Sequence, residues 1–375
     1  MLRPATLDDL DALVDVENAC FSIDRLSRRN FRYMLTKANA VTLVAEQKYG
    51  LGGYVLVLFH AGTSLARIYS IAVDPRLQRS GFGRLLMEGA ERAALAAGCV
   101  YMRLEVRPDN TGAINLYKRL GYRKFGTLDD YYEDHAEALR YEKLLVPHLN
   151  PDLVRVPYYE QTLDFTCGPS ALMMAMKALD GEVEMSRANE LRIWRESTTI
   201  FMTSGHGGCG PHGLALAAFD RGFDVELYVK DDAPMFVDSV RSDDKKEVIT
   251  LVQQDFIGQI RNLGVKVHYS RFGVEEMQRH FDAGAIPVVL ISSYRIYHEK
   301  FPHWVVVTGF DNRFIYVHDS FVDYDMDKTR VDCINMPILK SDFDRMARYG
   351  RQAQRAALIL RPKRKRRSGS RGRTA

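Results

Sequence analysis

The sequence predicts an α/β (α+β) protein with two folded domains and a short basic tail. A chain of 375 residues is too long for one ordinary hydrophobic core. Helix-like and strand-like segments alternate in both halves of the chain. Between the halves, VPHLNPDLVRVPYYEQ at 146–161 contains three prolines and is typical of a linker or a domain entry. We therefore expect one domain over residues 1–147, a second over 148–360, and a tail over 361–375.

Composition narrows the class of protein. Apolar residues make up 46% of the chain, which is ample for a globular fold. No apolar run approaches the roughly 18 to 20 residues that cross a bilayer, and the N-terminus lacks the apolar core of a secretory signal. The cysteines are odd in number and scattered, which argues against a disulfide framework: Cys20, Cys99, Cys167, Cys209 and Cys333. We expect a soluble, cytoplasmic protein that does not contact membranes.

The positive charge is concentrated at the C-terminus. Eight of the last fifteen residues are Lys or Arg and none is acidic, so the net charge of +4 leaves −4 for the other 360 residues. This tail has little to bury and is predicted to be disordered. Contact with RNA or the ribosome and a merely solubilising role are both compatible with its composition.

The elements of the first domain follow one another with short connections. TLDDLDALVDVENACF has a threonine cap and helical spacing, and the β-rich stretches VTLVAEQ, GGYVLVLFH and ARIYSIAVD come next. GRLLMEGAERAALAAG is an amphipathic helix closed by glycine, and a strand, YMRLEVR, and a short helix, TGAINLYKRLGY, complete the pattern. We expect this domain to end near LRYEKLLV.

A glycine-containing turn joins a predicted strand to a predicted helix in this domain. It contains Gln78, Gly81 and Gly83. Glycines let backbone N–H groups approach a ligand, and an exposed helix N-terminus attracts phosphate oxygens. By themselves, the glycines indicate only a tight turn.

The turn and the segment after it together resemble a known family. Q-x-x-G-x-G after a strand ending AVDP, followed by LEVRPDNTGAINLYKRLGY, is similar to the GNAT family of N-acetyltransferases over about residues 1–145. Within that family, it resembles the enzymes that acetylate the N-terminal alanine of a ribosomal protein. The resemblance implies a mixed-sheet fold, acetyl-CoA as cosubstrate, and a protein or peptide amine as acceptor.

The resemblance also implies positions for the cofactor. The strand residues Ile71, Ala72 and Val73 would pair with the pantetheine arm, and Asn110 and Tyr117 would lie near the thioester. Backbone amides of the turn would hold the pyrophosphate, from Gln78, Arg79, Ser80, Gly81, Phe82, Gly83 and Arg84.

Acetyl transfer to an amine needs a base for the amine and a proton donor for the leaving thiolate. Glu105, at the end of a strand that faces the cofactor, is the candidate base, acting through water, and Tyr117 is the candidate acid. The alternative for Glu105 is a solvated strand carboxylate, and the alternative for Tyr117 is a tyrosine that only packs in the core. Tyr131 and Tyr132 either line the acceptor channel or belong to the core or its rim.

The second domain is predicted to begin with a helix over residues 168–180. The glycine-rich loop SGHGGCGPHG, a helix GLALAAFDRG, a strand VELYV and a charged stretch come next, and helices and strands continue to about residue 360. In the loop, His206, Cys209 and His212 have possible metal-ligand spacing. They lack a fourth ligand, so we expect no metal site.

Cys167 stands where a polar loop meets the apolar helix of the second domain. A helix N-terminus favours the thiolate through the dipole and its free N–H groups. A small cysteine buried in the core is the alternative. Gln161, six residues earlier, has an amide that can donate to an oxyanion beside the backbone N–H of Cys167.

A nucleophilic thiol also needs a base and a group that orients the base. WVVVTGF and FIYVHD flank a turn at 311–313, which is a hairpin pattern. If the turn centres on Asp311 or Asn312, His303 and Asp319 lie opposite each other on one face. His318 should point to the other face.

These motifs together resemble the papain-like cysteine peptidases over about residues 155–325. Q-x5-C, H-W-V-V-V-x-G and D-S are similar to the bacteriocin-processing peptidases, which cleave leader peptides after a double glycine. The resemblance implies catalytic roles for Gln161, Cys167, His303 and Asp319, and a peptide or protein substrate. Fusion to a GNAT domain is a recognisable bacterial architecture. A peptide-binding groove without turnover remains the alternative for this second, papain-like domain.

Overall fold

A computed structural model describes residues 1–48, 50–146, 149, 151–199, 207–237, 240–326 and 328–362. The chain divides into an N-terminal unit, residues 1–150, and a C-terminal unit, residues 151–375. His206 and most of the predicted basic tail lie outside the described residues.

The N-terminal unit is built on a mixed sheet. In spatial order, its strands are β1 (Leu2–Pro4), β2 (Ala40–Gln47), β3 (Gly50–Phe59), β4 (Leu65–Val73), β5 (Tyr101–Val106), β7 (Ala138–Leu144) and β6 (Arg123–Leu128). Four helices accompany it: α1 (Leu10–Cys20), α2 (Arg28–Thr36), α3 (Phe82–Ala96) and α4 (Thr111–Arg119). In the part of the sheet that the structure describes, β4 and β5 are parallel and the other neighbours are antiparallel.

The helices cover both faces of this sheet, because its central strands are apolar on both sides. Tyr54 and Leu56 of β3 pack with α1 and α2. Val55 and Val57, which alternate with them, pack with α3 and α4. The mixed α/β layers that the sequence predicted for this half of the chain are confirmed.

A cleft opens where β4 and β5 separate. Their pairing runs only from Leu65 with Tyr101 to Ile68 with Leu104, although both strands continue. Opposite β3, the extra residue Tyr69 forms a bulge in β4, and a bulge bends its strand. The space between the diverging strands and the segments after α1 and β6 is a cavity of about 880 Å³.

The C-terminal unit contains a second sheet. In spatial order, its strands are β10 (Lys266–Tyr269), β9 (Asp224–Val229), β15 (Ala356–Arg361), β11 (Ile286–Ser292), β12 (Pro302–Phe310), β13 (Phe314–Asp319) and β14 (Met336–Leu339), and β8 (Asp152–Leu153) pairs with β12. The helices are α5 (Cys167–Leu179), α6 (Arg187–Ser197), α7 (Pro211–Asp220), α8 (Asp243–Leu263), α9 (Val274–Asp282), α10 (Tyr294–Tyr297) and α11 (Lys340–Met346).

Helix α5 lies in the core of this unit. Its residues 167–176 are all buried, and it packs against β11 and β12. A helix that is apolar on all sides must be covered on all sides, which explains its central position. The helix therefore holds its N-terminal residue, Cys167, rigidly against the sheet.

The charged stretch of the second half begins the longest described helix. Ser242 precedes α8, and Asp243 and Asp244 occupy its first turn, where negative charge is favourable. No helix among the described residues combines the length and the apolar character needed to span a membrane.

Candidate active sites

His303 and Asp319 lie on the hairpin of β12 and β13, but they are not directly opposite each other. Asp319 pairs with Val305, so the predicted register is wrong by two residues. The turn centres between Asn312 and Arg313, since the N–H of Asp311 donates to the carbonyl of Phe314, and a bulge at Thr308 in β12 shifts the pairing beyond it by one residue. Because side chains alternate between the two faces of a strand, a shift of two residues keeps both side chains on the same face.

The two side chains form a buried pair. Nε2 of His303 lies 2.5 Å from Oδ1 of Asp319, and the two residues are 1% and 0% exposed. A carboxylate has no hydrogen to donate, so Nε2 carries the proton and donates it. The other ring nitrogen, Nδ1, is then not engaged by Asp319, and Cys167 lies close enough for its charge to raise the pKa of the imidazole.

Asp319 has two further donors that the sequence did not indicate. The hydroxyl of Tyr297 donates to Oδ2 over 2.6 Å, and the backbone N–H of Phe321 donates to Oδ1 over 2.9 Å. A buried carboxylate is stable only when hydrogen bonds or opposite charge replace its water. Tyr297 belongs to no recognisable motif, and only the packing of α10 brings it to the pair.

Aromatic rings surround the imidazole. Phe301, Tyr297 and Phe321 have ring centroids 5.9, 6.0 and 6.5 Å from that of His303, each in an edge-on arrangement. Such a wall lowers the local dielectric constant and strengthens the charge interactions inside it. It also restricts the imidazole to one orientation.

The surroundings of the pair favour a positive charge on His303 and a negative charge on Asp319. Burial by itself lowers the pKa of His303, but the charge of Asp319, then that of Cys167, and the hydrogen bonds to both raise it to about 10. Burial raises the pKa of Asp319, but the charge and hydrogen bond of His303, with Tyr297 and Phe321, hold it below its ordinary value. The imidazolium and the carboxylate are therefore the stable forms at neutral pH.

Cys167 is the first residue of α5, as the sequence predicted. It is 7% exposed, so the residue is packed, and it lies near enough to His303 for its charge to raise the pKa of the imidazole. The burial of Cys167 agrees with the core interpretation, and its place beside His303 leaves the nucleophile interpretation open. A second buried thiol, Cys209, lies close enough for charge on Cys167 to raise its pKa, although burial is the larger cause.

Gln161 is attached to the same strand as Asp319. Its backbone N–H donates to the carbonyl of Ser320 over 2.9 Å, and its Oε1 accepts from the hydroxyl of Ser320 over 2.9 Å. Its Nε2 donates one hydrogen to the carbonyl of Leu163. An amide nitrogen carries two hydrogens, and among the described residues only the first has an acceptor.

The other candidates of the second domain lie elsewhere. His318 faces away from the pair, and its ring contacts the carbonyl of Val156 and the backbone N–H of Asn335. Cys209 and His212 are buried at the start of α7. Within the described ranges, no three His, Cys, Asp or Glu side chains are grouped to hold a metal ion.

In the N-terminal unit, Glu105 lines the cleft but is not solvated. Arg67 of β4 donates from Nε to Oε2 of Glu105 over 2.8 Å, and their side chains are 2% and 4% exposed. Another nitrogen of the guanidinium donates to the hydroxyl of Tyr131 over 2.8 Å. The alternative of a solvated strand carboxylate is therefore wrong for Glu105.

Four tyrosines line the same cleft: Tyr69, Tyr117, Tyr131 and Tyr132. Burial raises the pKa of Tyr117 far above its ordinary value, so its hydroxyl keeps its proton at neutral pH. The rings of Tyr131 and Tyr132 meet edge to face at 5.0 Å. The sequence left open whether Tyr131 and Tyr132 line a channel or belong to the core or its rim, and the structure places both in the wall of the cleft.

The predicted anion-binding turn begins helix α3. Gly81, just before the helix, has a φ of +93°, which L side chains rarely adopt. Gln78, Arg79 and Ser80 are exposed, and the first amides of a helix have no carbonyl partner inside it. Gly83 serves a different purpose, because a Cβ there would lie 3.1 Å from Leu116.

The remaining predicted cofactor residues lie in or near the cleft. Ile71 and Asn110 line it, and the side chain of Asn110 caps α4 by accepting from the N–H of Ala113. Ala72 is buried on the α1 side of the sheet, and the carbonyl of Val73 accepts from the thiol of Cys20.

One buried acid of the cleft was missed by the sequence analysis. Glu17 of α1 accepts from the N–H of Leu26 over 2.7 Å and from the hydroxyl of Tyr54. That hydroxyl lies 2.7 Å from Oγ of Ser70 on β4. Burial raises the pKa of Glu17. The contacts tie the segment after α1 to the sheet, and only the fold reveals them.

Comparisons with known proteins agree with this division of the chain. A model described as "Peptidase_C39 like family" matches residues 156–361, and one described as "Acetyltransferase (GNAT) family" matches residues 10–122.

A [ribosomal protein bS18]-alanine N-acetyltransferase of Salmonella typhimurium is 39% identical over 77 residues, 20% of this chain and 52% of that protein. An N-alpha-acetyltransferase of Sulfurisphaera tokodaii is 30% identical over 155 residues, 36% of this chain and 88% of that protein. An uncharacterized N-acetyltransferase of Methanocaldococcus jannaschii is 31% identical over 140 residues, 37% of this chain and 88% of that protein. The chain thus spans about half the length of the Salmonella relative and most of the other two.

Proposed function

The chain belongs to the Peptidase_C39 like family and, in its N-terminal unit, to the GNAT acetyltransferase family, and we propose that it carries two enzymatic activities. The first transfers an acetyl group from acetyl-CoA to a protein or peptide amine. The second cleaves a peptide bond through a thioester on Cys167. The geometry of Cys167, His303 and Asp319 is the observation that carries the second activity.

The N-terminal cleft fits an extended thioester cosubstrate. The unpaired edge of β4 beyond Ile68 offers backbone groups at Ile71, Ala72 and Val73 to an amide-containing arm. The amides from Gln78 to Arg84 stand at the N-terminus of α3, which favours phosphate. Acetyl-CoA supplies an activated acetyl thioester when it is bound there.

Two side chains of the cleft would act as the general base and the general acid of acetyl transfer. Glu105, whose carboxylate is held in place by Arg67, removes a proton from the acceptor amine through a water. The amine nitrogen then forms a bond to the acetyl carbon, and the carbon–sulfur bond breaks. Tyr117, which keeps its hydroxyl proton, donates it to the departing sulfur.

The acceptor we propose is an N-terminal α-amine. The relatives from Salmonella typhimurium and Sulfurisphaera tokodaii are named as an alanine N-acetyltransferase of a ribosomal protein and as an N-alpha-acetyltransferase. An α-amine has a lower pKa than a lysine side chain, so a larger fraction is neutral at pH 7. The aromatic wall of Tyr131 and Tyr132 suits an entering peptide end.

In the C-terminal unit, the thiolate of Cys167 adds to the carbonyl carbon of a peptide bond. The oxygen then carries the negative charge, which the N–H of Cys167 and the free amide hydrogen of Gln161 stabilise. The imidazolium of His303 gives its proton to the leaving amine, and the carbon–nitrogen bond breaks. Water, deprotonated by His303, hydrolyses the thioester and releases Cys167.

The cellular setting follows from the thiols and the tail. The five cysteines are all free, which suits a reducing compartment such as the cytoplasm. The basic residues of the tail suit contact with RNA or the ribosome, where a proposed ribosomal-protein acceptor would be found.

Both activities are tested by one experiment. Cell peptides are incubated with acetyl-CoA and either the wild type, Cys167→Ser or Tyr117→Phe, and new N-termini and added acetyl groups are counted by mass spectrometry. We expect new N-termini to disappear only with Cys167→Ser, and acetylation to fall at least ten-fold only with Tyr117→Phe. A wild type that produces neither overturns the proposed function.

A further inference from the structure

A buried carboxylate holds the segment between Gln161 and Cys167. Glu190 of α6 is 0% exposed. Its oxygens accept from the hydroxyl of Tyr159 over 2.9 Å, and from the N–H and hydroxyl of Thr162, each over 2.8 Å. The hydroxyl of Thr166 is also within hydrogen-bond distance.

The environment of Glu190 is unusual for a buried acid. Among the described residues, it has no Lys or Arg within ion-pair distance, and its close partners are hydroxyls and one backbone N–H. An unpaired buried charge is costly unless hydrogen bonds replace its water. An apolar side chain at this position would leave the hydroxyl of Tyr159 and the N–H and hydroxyl of Thr162 without this acceptor. The arrangement therefore indicates that the position of the donors matters.

The donors belong to the residues that flank the proposed oxyanion site. Thr162 follows Gln161, and Thr166 precedes Cys167 and is the N-cap of α5. On its other side, the segment is held by the hydrogen bonds between Gln161 and Ser320. The segment thus lies between Glu190 and the strand that carries Asp319, and both oxyanion donors are attached to it.

We propose that Glu190 is a positioning residue for the cysteine peptidase, which fixes the side chain of Gln161 and the backbone N–H of Cys167 around the substrate oxygen. The inference rests on the proposed peptidase activity. Glu190 touches neither the substrate nor the thiol. It acts through Thr162 and Thr166, so its loss should disturb the oxyanion more than the nucleophile.

Two probes separate these effects. N-acetylglycylglycinal forms a bond from the Cys167 sulfur to its aldehyde carbon, and the former carbonyl oxygen takes the proton of the His303 imidazolium or stays an oxyanion. This adduct needs the oxyanion donors. Iodoacetamide alkylates the same sulfur by displacement of iodide, with no oxyanion, so it reports only on the nucleophile.

The test variants are Glu190→Gln and Glu190→Asp. The control is Glu196→Gln, which makes the same chemical change on the exposed face of α6, where Glu196 pairs with Arg221. In Glu190→Gln, an NH2 group replaces one carboxylate oxygen, so a hydrogen-bond donor faces the donors that the oxygen had accepted from. We expect its dissociation constant for the aldehyde to rise at least ten-fold, while alkylation of Cys167 changes less than three-fold. Glu190→Asp, which keeps the acceptors, should recover part of the affinity, and Glu196→Gln should match the wild type.

Equal aldehyde affinity in the wild type and in Glu190→Gln would overturn the positioning role. An equal loss in both probes would also overturn it, because it would mean general unfolding of the site; circular dichroism melting identifies that case. A wild type that neither binds the aldehyde nor alkylates faster than a free model thiol would instead contradict the peptidase itself.

Discussion

The hydroxyl of Tyr297 donates a 2.6 Å hydrogen bond to Oδ2 of Asp319, the carboxylate oxygen that does not face Nε2 of His303. Each oxygen of this buried carboxylate therefore has its own side-chain donor. The second donor keeps the carboxylate ionised and fixes its plane, and this in turn fixes the imidazole.

The first prediction concerns this second donor. Tyr297→Phe removes the hydroxyl and leaves Oδ2 unpaired, which should lower the unfolding free energy by about 1–3 kcal/mol and slow peptide cleavage roughly ten-fold. Tyr158→Phe is the matched control, because the buried hydroxyl of Tyr158 has no hydrogen-bond partner in the described structure. Urea unfolding and turnover measure both effects, and equal behaviour of the two variants would contradict the role of Tyr297.

The second prediction concerns pH. The folded-state pKa of His303 is about 10, above the ordinary value of about 6.5. Its contribution to stability is therefore complete below about pH 6.5 and is lost as the pH rises toward 10. NMR titration of labelled histidines should place His303 near 10 and, as an internal control, His212 near 4 because it is buried. In Asp319→Asn, the titration of His303 should move to lower pH; no movement would show that Asp319 is not the cause.

The third prediction separates a nucleophile from a packed cysteine. A peptide chloromethyl ketone should label Cys167 much faster than a free model thiol, and His303→Ala should remove this acceleration. Cys209→Ser is the control, because burial raises the pKa of Cys209 well above its ordinary value and keeps that thiol unreactive. Peptide mapping identifies the labelled residue. Unaccelerated labelling in the wild type would support the peptide-binding alternative.

The fourth prediction concerns the acid of acetyl transfer. Tyr117→Phe should lower kcat about 100-fold and leave KM for acetyl-CoA within a few-fold, because the hydroxyl acts on the leaving sulfur. Tyr122→Phe is the control, since that ring lies 6.0 Å from Tyr117 but does not line the cleft. Release of coenzyme A from acetyl-CoA and an alanine-terminated peptide is the assay. A similar kcat for both variants would exclude Tyr117 as the acid.

The fifth prediction uses the two ends of α3. Gly81 precedes the helix with a φ of +93°, Gly98 follows it with +82°, and a Cβ at either would meet no atom within 4 Å. Alanine at each position should lower the unfolding free energy similarly, by about 1 kcal/mol. Only Gly81→Ala should also raise KM for acetyl-CoA, because it changes the loop that presents the amides. An equal KM in both variants would place the pyrophosphate elsewhere.

Much of the fold was predictable because its signals are local. Periodicity and turn chemistry over a few residues predict the strands before and after α3 and the glycine at the start of that helix. The same local signals place Cys167 at the start of α5. His303 and Asp319 share one face even though the predicted register was wrong by two, because the turn position and the bulge at Thr308 together shift the pairing by an even number of residues.

The partners that fix these residues were not predictable in the same way. Tyr297, Glu190 and Arg67 belong to no motif, and each contributes to a site formed by residues that are distant in the sequence. Arg67 makes Glu105, the candidate base predicted at the end of its strand, half of a buried ion pair. Such contacts depend on how whole elements pack, which local patterns do not encode.

Local patterns in the sequence were enough to predict two α/β units, the turn before α3, and a thiol, an imidazole and a carboxylate in the C-terminal unit, because these features depend on backbone propensity and on alternation along a strand. The separation of β4 and β5, the second donor on Asp319 and the carboxylate of Glu190 became visible only in the folded structure. The physical reason is that burial and hydrogen bonding act between surfaces, and those surfaces exist only after the elements have packed.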